Sequence, residues 1–140
     1  MPIKQINPYL NFDGTAAKAI ALYEKALGAK AENVMRFADM PGTDVKPQDK
    51  DRVMHAVLRI GAGTVMLSDG PSDRPVPKES NTWITLDHDD AAEMAKQFDA
   101  LSAGGQVVMP LQDTFWGAKF GMLTDAFKIN WMFNCETRKG

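Results

Sequence analysis

Two stretches of this chain carry side chains able to do chemistry. The first runs from Val53 to Asp69 and holds His55, Ser68 and Asp69. Imidazole has the side-chain pKa best matched to proton transfer near neutral pH, so His55 is the acid–base candidate. Asp69 is its expected orienting partner, with Ser68 nearby. The alternative is a strand histidine satisfied by an ordinary hydrogen bond. The second stretch is aromatic, with Trp83, Phe115, Trp116, Trp131 and Phe133 gathered in the second half. Core packing accounts for such rings in general, since each buries a large apolar area. Trp116 differs, because it follows polar Gln112-Asp113-Thr114 and precedes Gly117, a loop-like context suited to a pocket wall. A pocket so lined favours a flat or apolar ligand, with Thr114, Ser68 and Asn134 supplying hydrogen bonds.

Other candidates fail on chemical grounds. Gly61-Ala62-Gly63 joins two strand-like runs instead of opening a helix, so it lacks the amide-lined helix end that holds a phosphate. His88 sits among Asp87, Asp89 and Asp90 and reads as a solvated capping-region residue. Arg36 reads as a surface arginine. Cys135 has no helix start or basic neighbour to lower its pKa, which disfavours a catalytic thiol.

The elements that must position these residues follow from periodicity. Ile6 to Phe12 alternates apolar and polar, the pattern of a strand with one buried face. Ala16, Ala19, Ile20, Tyr23 and Leu27 then recur at helical steps, with Thr15 placed to cap the first turn and Gly28 to end the helix. Strands are expected over Ala31–Phe37, Val53–Ile60 and Thr64–Asp69, with a mobile loop over Ala38–Arg52. Gly70–Ser80, with its prolines and charges, reads as a linker. The pattern restarts with a strand at Thr82–Asp87, a helix opened by Asp90 and ended at Gly104-Gly105, a strand at Gln106–Leu111, and a last hairpin of Phe120–Thr124 and Asn130–Cys135. Each half is strand, helix, strand, strand, strand. The expected fold is α+β, a single domain of two βαβββ modules at about 3–69 and 81–136, whose curved mixed sheets surround a cavity.

Composition bounds the function. The chain has 140 residues, 44% of them hydrophobic, and a formal net charge of −2 without a basic stripe. That disfavours nucleic-acid binding. No apolar run reaches the roughly 20 residues of a membrane span, and no secretory h-region precedes Phe12. A lone cysteine excludes an intrachain disulfide and suits a reducing, cytoplasmic setting.

Ile6-Asn7-Pro8-Tyr9-Leu10-Asn11-Phe12, Met40-Pro41, Met54-His55-Ala56, Met66-Leu67-Ser68-Asp69, Thr114-Phe115-Trp116-Gly117 and Trp131-Met132-Phe133-Asn134 resemble the PhnB-like branch of the vicinal oxygen chelate superfamily. That superfamily includes glyoxalase I, bleomycin-resistance proteins and extradiol dioxygenases. The resemblance runs from about Ile6 to Asn134 and implies paired modules assembled as a homodimer. It implies no single activity, because many functions share this fold. Metal-dependent members place His or Glu ligands on the first and last strands of each module. Laid on this chain, those places fall at Asn7 or Pro8, Ser68 or Asp69, Trp83 and Met132. Indole cannot ligate, and thioether is too soft for Mg, Mn or Zn. The expectation is therefore no metal at the usual site and no cofactor, with a displaced His55–Asp69 site as the exception. A methyltransferase activity is disfavoured, since the glycine-rich loop and alternating strand–helix order of a nucleotide-type cofactor fold are missing.

The reading is a small-molecule binding or sequestering protein with contacts at Trp116, Trp83, Met132, Ser68, Asp69 and His55. The alternatives are a metal-independent isomerase or lyase with His55 as base, and a metalloenzyme with a displaced site.

Overall fold

In the computed structural model, which describes residues 2–40 and 44–137, the chain divides into two units, Met1–Val76 and Pro77–Gly140. The break falls inside the proline-rich linker. Each unit is described by itself.

In the first unit β1 (Tyr9–Asn11) leads into α1 (Ala16–Leu27), then β2 (Lys30–Arg36), β3 (Val53–Ile60) and β4 (Gly63–Ser68). The sheet order is β1-β4-β3-β2, with β1 parallel to β4 and the other pairs antiparallel. In the second unit β5 (Ile84–His88), α2 (Ala91–Ser102), β6 (Gln106–Asp113), β7 (Ala118–Thr124) and β8 (Asn130–Glu136) repeat the order as β5-β8-β7-β6, again with the outer pair parallel. The two units thus share one topology, two open four-stranded mixed sheets with a helix apiece, and the α+β reading holds.

Packing follows the sequence periods. The apolar stripe of α1, including Ala19, Ile20 and Tyr23, is buried together with Ala56, Leu58, Val65 and Leu67 of the first sheet. Met94, Phe98 and Leu101 of α2 are buried with Leu123, Trp131 and Phe133 of the second. Gly121 belongs to that crowded side, since a Cβ there would lie 2.8 Å from Leu111 Cδ2 and 3.0 Å from Phe98 Cε2. The opposite side of each sheet carries no helix of its own unit, and most of its side chains are half-buried or exposed.

Local details differ from expectation. Regular pairing of the first strand is confined to Tyr9–Asn11, with the Pro8 carbonyl still accepting from the Met66 N–H at 3.0 Å. Thr15 stands at the helix start but makes no side-chain cap. The Asp69 carboxylate does part of that work from across the fold, accepting the Ala16 N–H at 2.9 Å. Gly28 ends α1 in the left-handed region, at φ 67°, as its lack of a Cβ permits. The expected mobile loop contains two 3-10 turns, Phe37–Asp39 and Pro47–Asp49; the Phe37 N–H donates to the Arg52 carbonyl at 3.1 Å, and buried Asp49 accepts the Ser72 N–H at 3.1 Å. Pro41 and the rest of 41–43 lie outside the described residues. Asp90 caps α2 as expected, accepting the N–H groups of Ala92 and Glu93.

Asp69 is the most consequential of these. It is 3% exposed, and its second oxygen accepts the Val53 N–H at 2.9 Å. Hydrogen bonds to a charged acceptor are worth about 1.5–3 kcal/mol each. Asp69→Ala should therefore lower unfolding stability by about 3 kcal/mol, read as a lower urea midpoint with unchanged slope, and Asp69→Asn by less.

Candidate functional site

The sides of the two sheets that lack a helix hold the chain's accessible chemistry. In the first unit the paired residues Tyr9, Met66, Val57 and Glu32 form one row across β1, β4, β3 and β2. His55 lies two residues from Val57 on β3, directly opposite Met35 on β2. Its Nδ1 stands 3.0 Å from the Tyr9 hydroxyl, and the two rings are tilted with centroids 5.8 Å apart. His55 is half-buried and Tyr9 exposed, so the dyad is open to a ligand.

The expected pairing of His55 with Asp69 does not form. Both Asp69 oxygens serve backbone N–H groups, and the partner of His55 is Tyr9 instead. Ser68 is also occupied: it is buried, and its hydroxyl oxygen accepts the Gly70 N–H at 2.9 Å. Tyr9 escaped the sequence reading because the two residues are 46 apart along the chain. The available signal was the alternation of the first strand, which sets Tyr9 and Asn11 on the side opposite buried Phe12.

In the second unit two rows cross the open face. One is Met109, Met122, Met132 and Thr85, and the next is Gln112, Phe120, Asn134 and Asp87. The Asn134 side-chain N–H donates to Asp87 Oδ1 at 3.1 Å, and the Thr85 hydroxyl donates to the Met132 sulfur at 3.7 Å. Trp116 is 53% exposed and meets Phe120 edge-on at 6.1 Å and Phe115 edge-on at 5.0 Å. Thr114 anchors this aromatic loop, because its hydroxyl oxygen accepts the Ala118 N–H and donates to the Ala118 carbonyl, both at 3.1 Å. Thr114 is thus a loop pin. Trp83 is half-buried immediately before β5. Of the sequence candidates, Trp116, Met132 and Asn134 come together on this face, through Phe120 and Met122. His55, Ser68 and Asp69 belong to the other unit.

Trp131 is fully buried on the helix side, where its indole N–H donates to Asp125 at 2.9 Å. His88 is not a solvated residue. It stacks on Phe133 at 5.4 Å, and its Nε2 lies 2.7 Å from Gln97 Oε1 on α2. A surface depression of about 480 Å³ beside it is lined by Asp87, His88, Asp89, Asp90, Glu93 and Gln97. Its rim includes Asp90, the α2 cap. In the first unit, Asp73 has its carboxyl held below the usual range by its hydrogen bond and charge contact with Lys46.

Register also corrects the places expected for metal ligands. The parallel pairs are Tyr9 with Met66 and Asn11 with Ser68 in one unit, and Thr85 with Met132 and Asp87 with Asn134 in the other. Asn7, Pro8 and Trp83 precede these strands. Phenol, thioether and hydroxyl groups with one amide-bonded carboxylate do not fit a hard divalent cation. Among the described residues no three His, Cys, Asp or Glu side chains form a group that could hold a metal ion.

The chain matches the Glyoxalase/Bleomycin resistance protein/Dioxygenase superfamily over residues 5–133. It is 33% identical to Protein YjdN of Escherichia coli K12, over 92% of this chain and 93% of that protein. Its fold superposes on protein PA1353 of Pseudomonas aeruginosa with a TM-score of 0.86 at 41% identity, covering 96% of this chain and 98% of the other. A PhnB protein of Bacillus cereus gives a TM-score of 0.77 at 20% identity, with 94% and 99% covered.

The Tyr9 contact has a direct spectroscopic consequence. The 3.0 Å contact ties the tautomer of neutral His55 to Tyr9: with the hydroxyl donating to Nδ1 the ring proton sits on Nε2, and with the hydroxyl accepting it sits on Nδ1. In Tyr9→Phe the ring ¹⁵N shifts of His55, measured where the imidazole is neutral, should move from a single-tautomer pattern toward a mixture.

Proposed function

The chain belongs to the glyoxalase/bleomycin resistance protein/dioxygenase superfamily, and from that premise we propose that it binds and sequesters a small flat or apolar molecule without a metal at the family's usual site. The observation that carries this reading is the second unit's open face. There an anchored, half-exposed Trp116 continues through Phe120 onto a floor of methionines, bordered by Thr85, Asn134 and Asp87. Aromatic edges and thioethers give a large, adaptable apolar area. The amide, hydroxyl and carboxylate at the border can orient one polar end of a ligand. Trp83, beside the start of β5, extends the apolar wall. We read the protein as a cytoplasmic homodimer, a reading supported by the family resemblance and by a single buried thiol.

Flat aromatic compounds should raise the melting temperature, since a ligand at 100 times its Kd adds about 2.7 kcal/mol to a protein that binds it only when folded. Trp116→Ala should abolish most of that rise while leaving the melting temperature without ligand nearly unchanged. A broad library giving no shift with the unaltered protein would remove the reading's main support.

A specific observation favours a second reading, a metal-independent isomerase or lyase. The Tyr9 hydroxyl and His55 imidazole make an accessible acid–base pair at 3.0 Å. General acid–base groups contribute about 10²–10⁴-fold. On any substrate that the protein turns over, His55→Ala should lower kcat by that factor with the fold intact, and retained turnover would eliminate His55 as the base.

A further inference from the structure

The second unit's open face carries a row of sulfur donors whose chemistry goes beyond holding an organic ligand. Met109 on β6 pairs with Met122 on β7 at a point flanked by register shifts on both sides, and Met122 is directly opposite Met132 on β8. Thr85 on β5 closes the row, with its hydroxyl against the Met132 sulfur at 3.7 Å. Residues directly opposite on one sheet face have Cβ atoms about 4.5–5.5 Å apart. The unbranched methionine side chain, with three rotatable bonds, can bring neighbouring sulfurs to a common point.

Exposure separates this row from ordinary core filling. Met94, on α2, is a core methionine with no exposed surface. Met109, Met122 and Met132 are half-buried on the side that has no helix. The corresponding row of the first unit, Glu32, Val57, Met66 and Tyr9, has a single thioether. The cluster is therefore a property of one unit and not of the shared topology.

Three thioethers form a donor set of one kind. Such sulfur is soft and neutral, poorly suited to Mg, Mn or Zn and well suited to Cu(I), whose chemistry Ag(I) shares. Phe120, two residues from Met122 in the neighbouring row, places an aromatic ring beside the cluster, a favourable neighbour for a cation. We propose that Met109, Met122 and Met132 form a binding site for one soft monovalent cation, Cu(I) or Ag(I), with Met122 as the central donor.

The test uses full-length Cys135→Ser protein, so that the lone thiol contributes nothing. Cu(I), kept reduced by a non-thiol reductant, is titrated against a chromophoric chelator, and Ag(I) is followed by native mass spectrometry. One ion per chain is expected, with affinity weakened by roughly tenfold or more in Met122→Leu. The variant combining Met109→Leu, Met122→Leu and Met132→Leu should bind none, and leucine keeps the side-chain volume nearly constant. Should that variant not fold, methyl NMR of the Cys135→Ser protein decides the matter, because Ag(I) should move the three ε-methyl signals of this row. Failure to compete with the chelator, unchanged binding by the folded triple variant, or shifts confined to other methionines would each overturn the site. Thermal shifts with organic compounds read the ligand-binding proposal separately, so either proposal can fail without the other.

Discussion

The carboxylate of Asp69 joins three segments that the chain keeps far apart. One oxygen takes the Ala16 N–H at the start of α1, and the other takes the Val53 N–H at the start of β3, while Asp69 itself directly follows β4. A buried carboxylate is tolerable only with such partners, and a negative charge at a helix N-terminus gains from the aligned peptide dipoles. Arg52 braces the same corner, donating to the carbonyls of Gly70 and Asp69 and to the Asp13 carboxylate. This corner fixes where β3 begins, and with it the position of His55 two residues on. It also removes Asp69 from the open face, leaving the Tyr9 hydroxyl as the imidazole's partner.

The second unit uses a buried carboxylate at a different corner. Asp125, at the turn between β7 and β8, accepts the N–H groups of Phe127 and Ile129 with one oxygen and the Trp131 indole N–H with the other. Holding Trp131 under α2 sends its neighbours Asn130 and Met132 the other way, since strand side chains alternate. Thus the residue that keeps the core closed also sets which side chains reach the open face.

One topology with two different open faces is the main lesson of the repeat. Equivalent register positions hold Tyr9 and Thr85, Met66 and Met132, Val57 and Met122, Glu32 and Met109. On the helix side the equivalents Leu67 and Phe133, or Ala56 and Gly121, differ mainly in volume. Packing restricts that side, whereas the open side is free to carry acid–base groups in one unit and soft, apolar groups in the other. Superfamily membership therefore fixes the frame, and the chemistry belongs to the exposed rows.

Local patterns were sufficient for the elements. Alternation marked the strands, the three- and four-residue spacing marked both helices, and Gly28 and Asp90 marked a stop and a start, because each of these signals acts within a few residues. The two-module α+β order, and Trp116 as the exposed ring of a loop, were legible for the same reason. What only the tertiary structure decided were the partnerships that cross strands. Register across the sheets chose Tyr9 over Asp69 for His55, buried Trp131, drew His88 onto Phe133 and aligned three methionines that lie far apart in the chain. These depend on which residues stand opposite one another after folding, a quantity that no local spacing encodes.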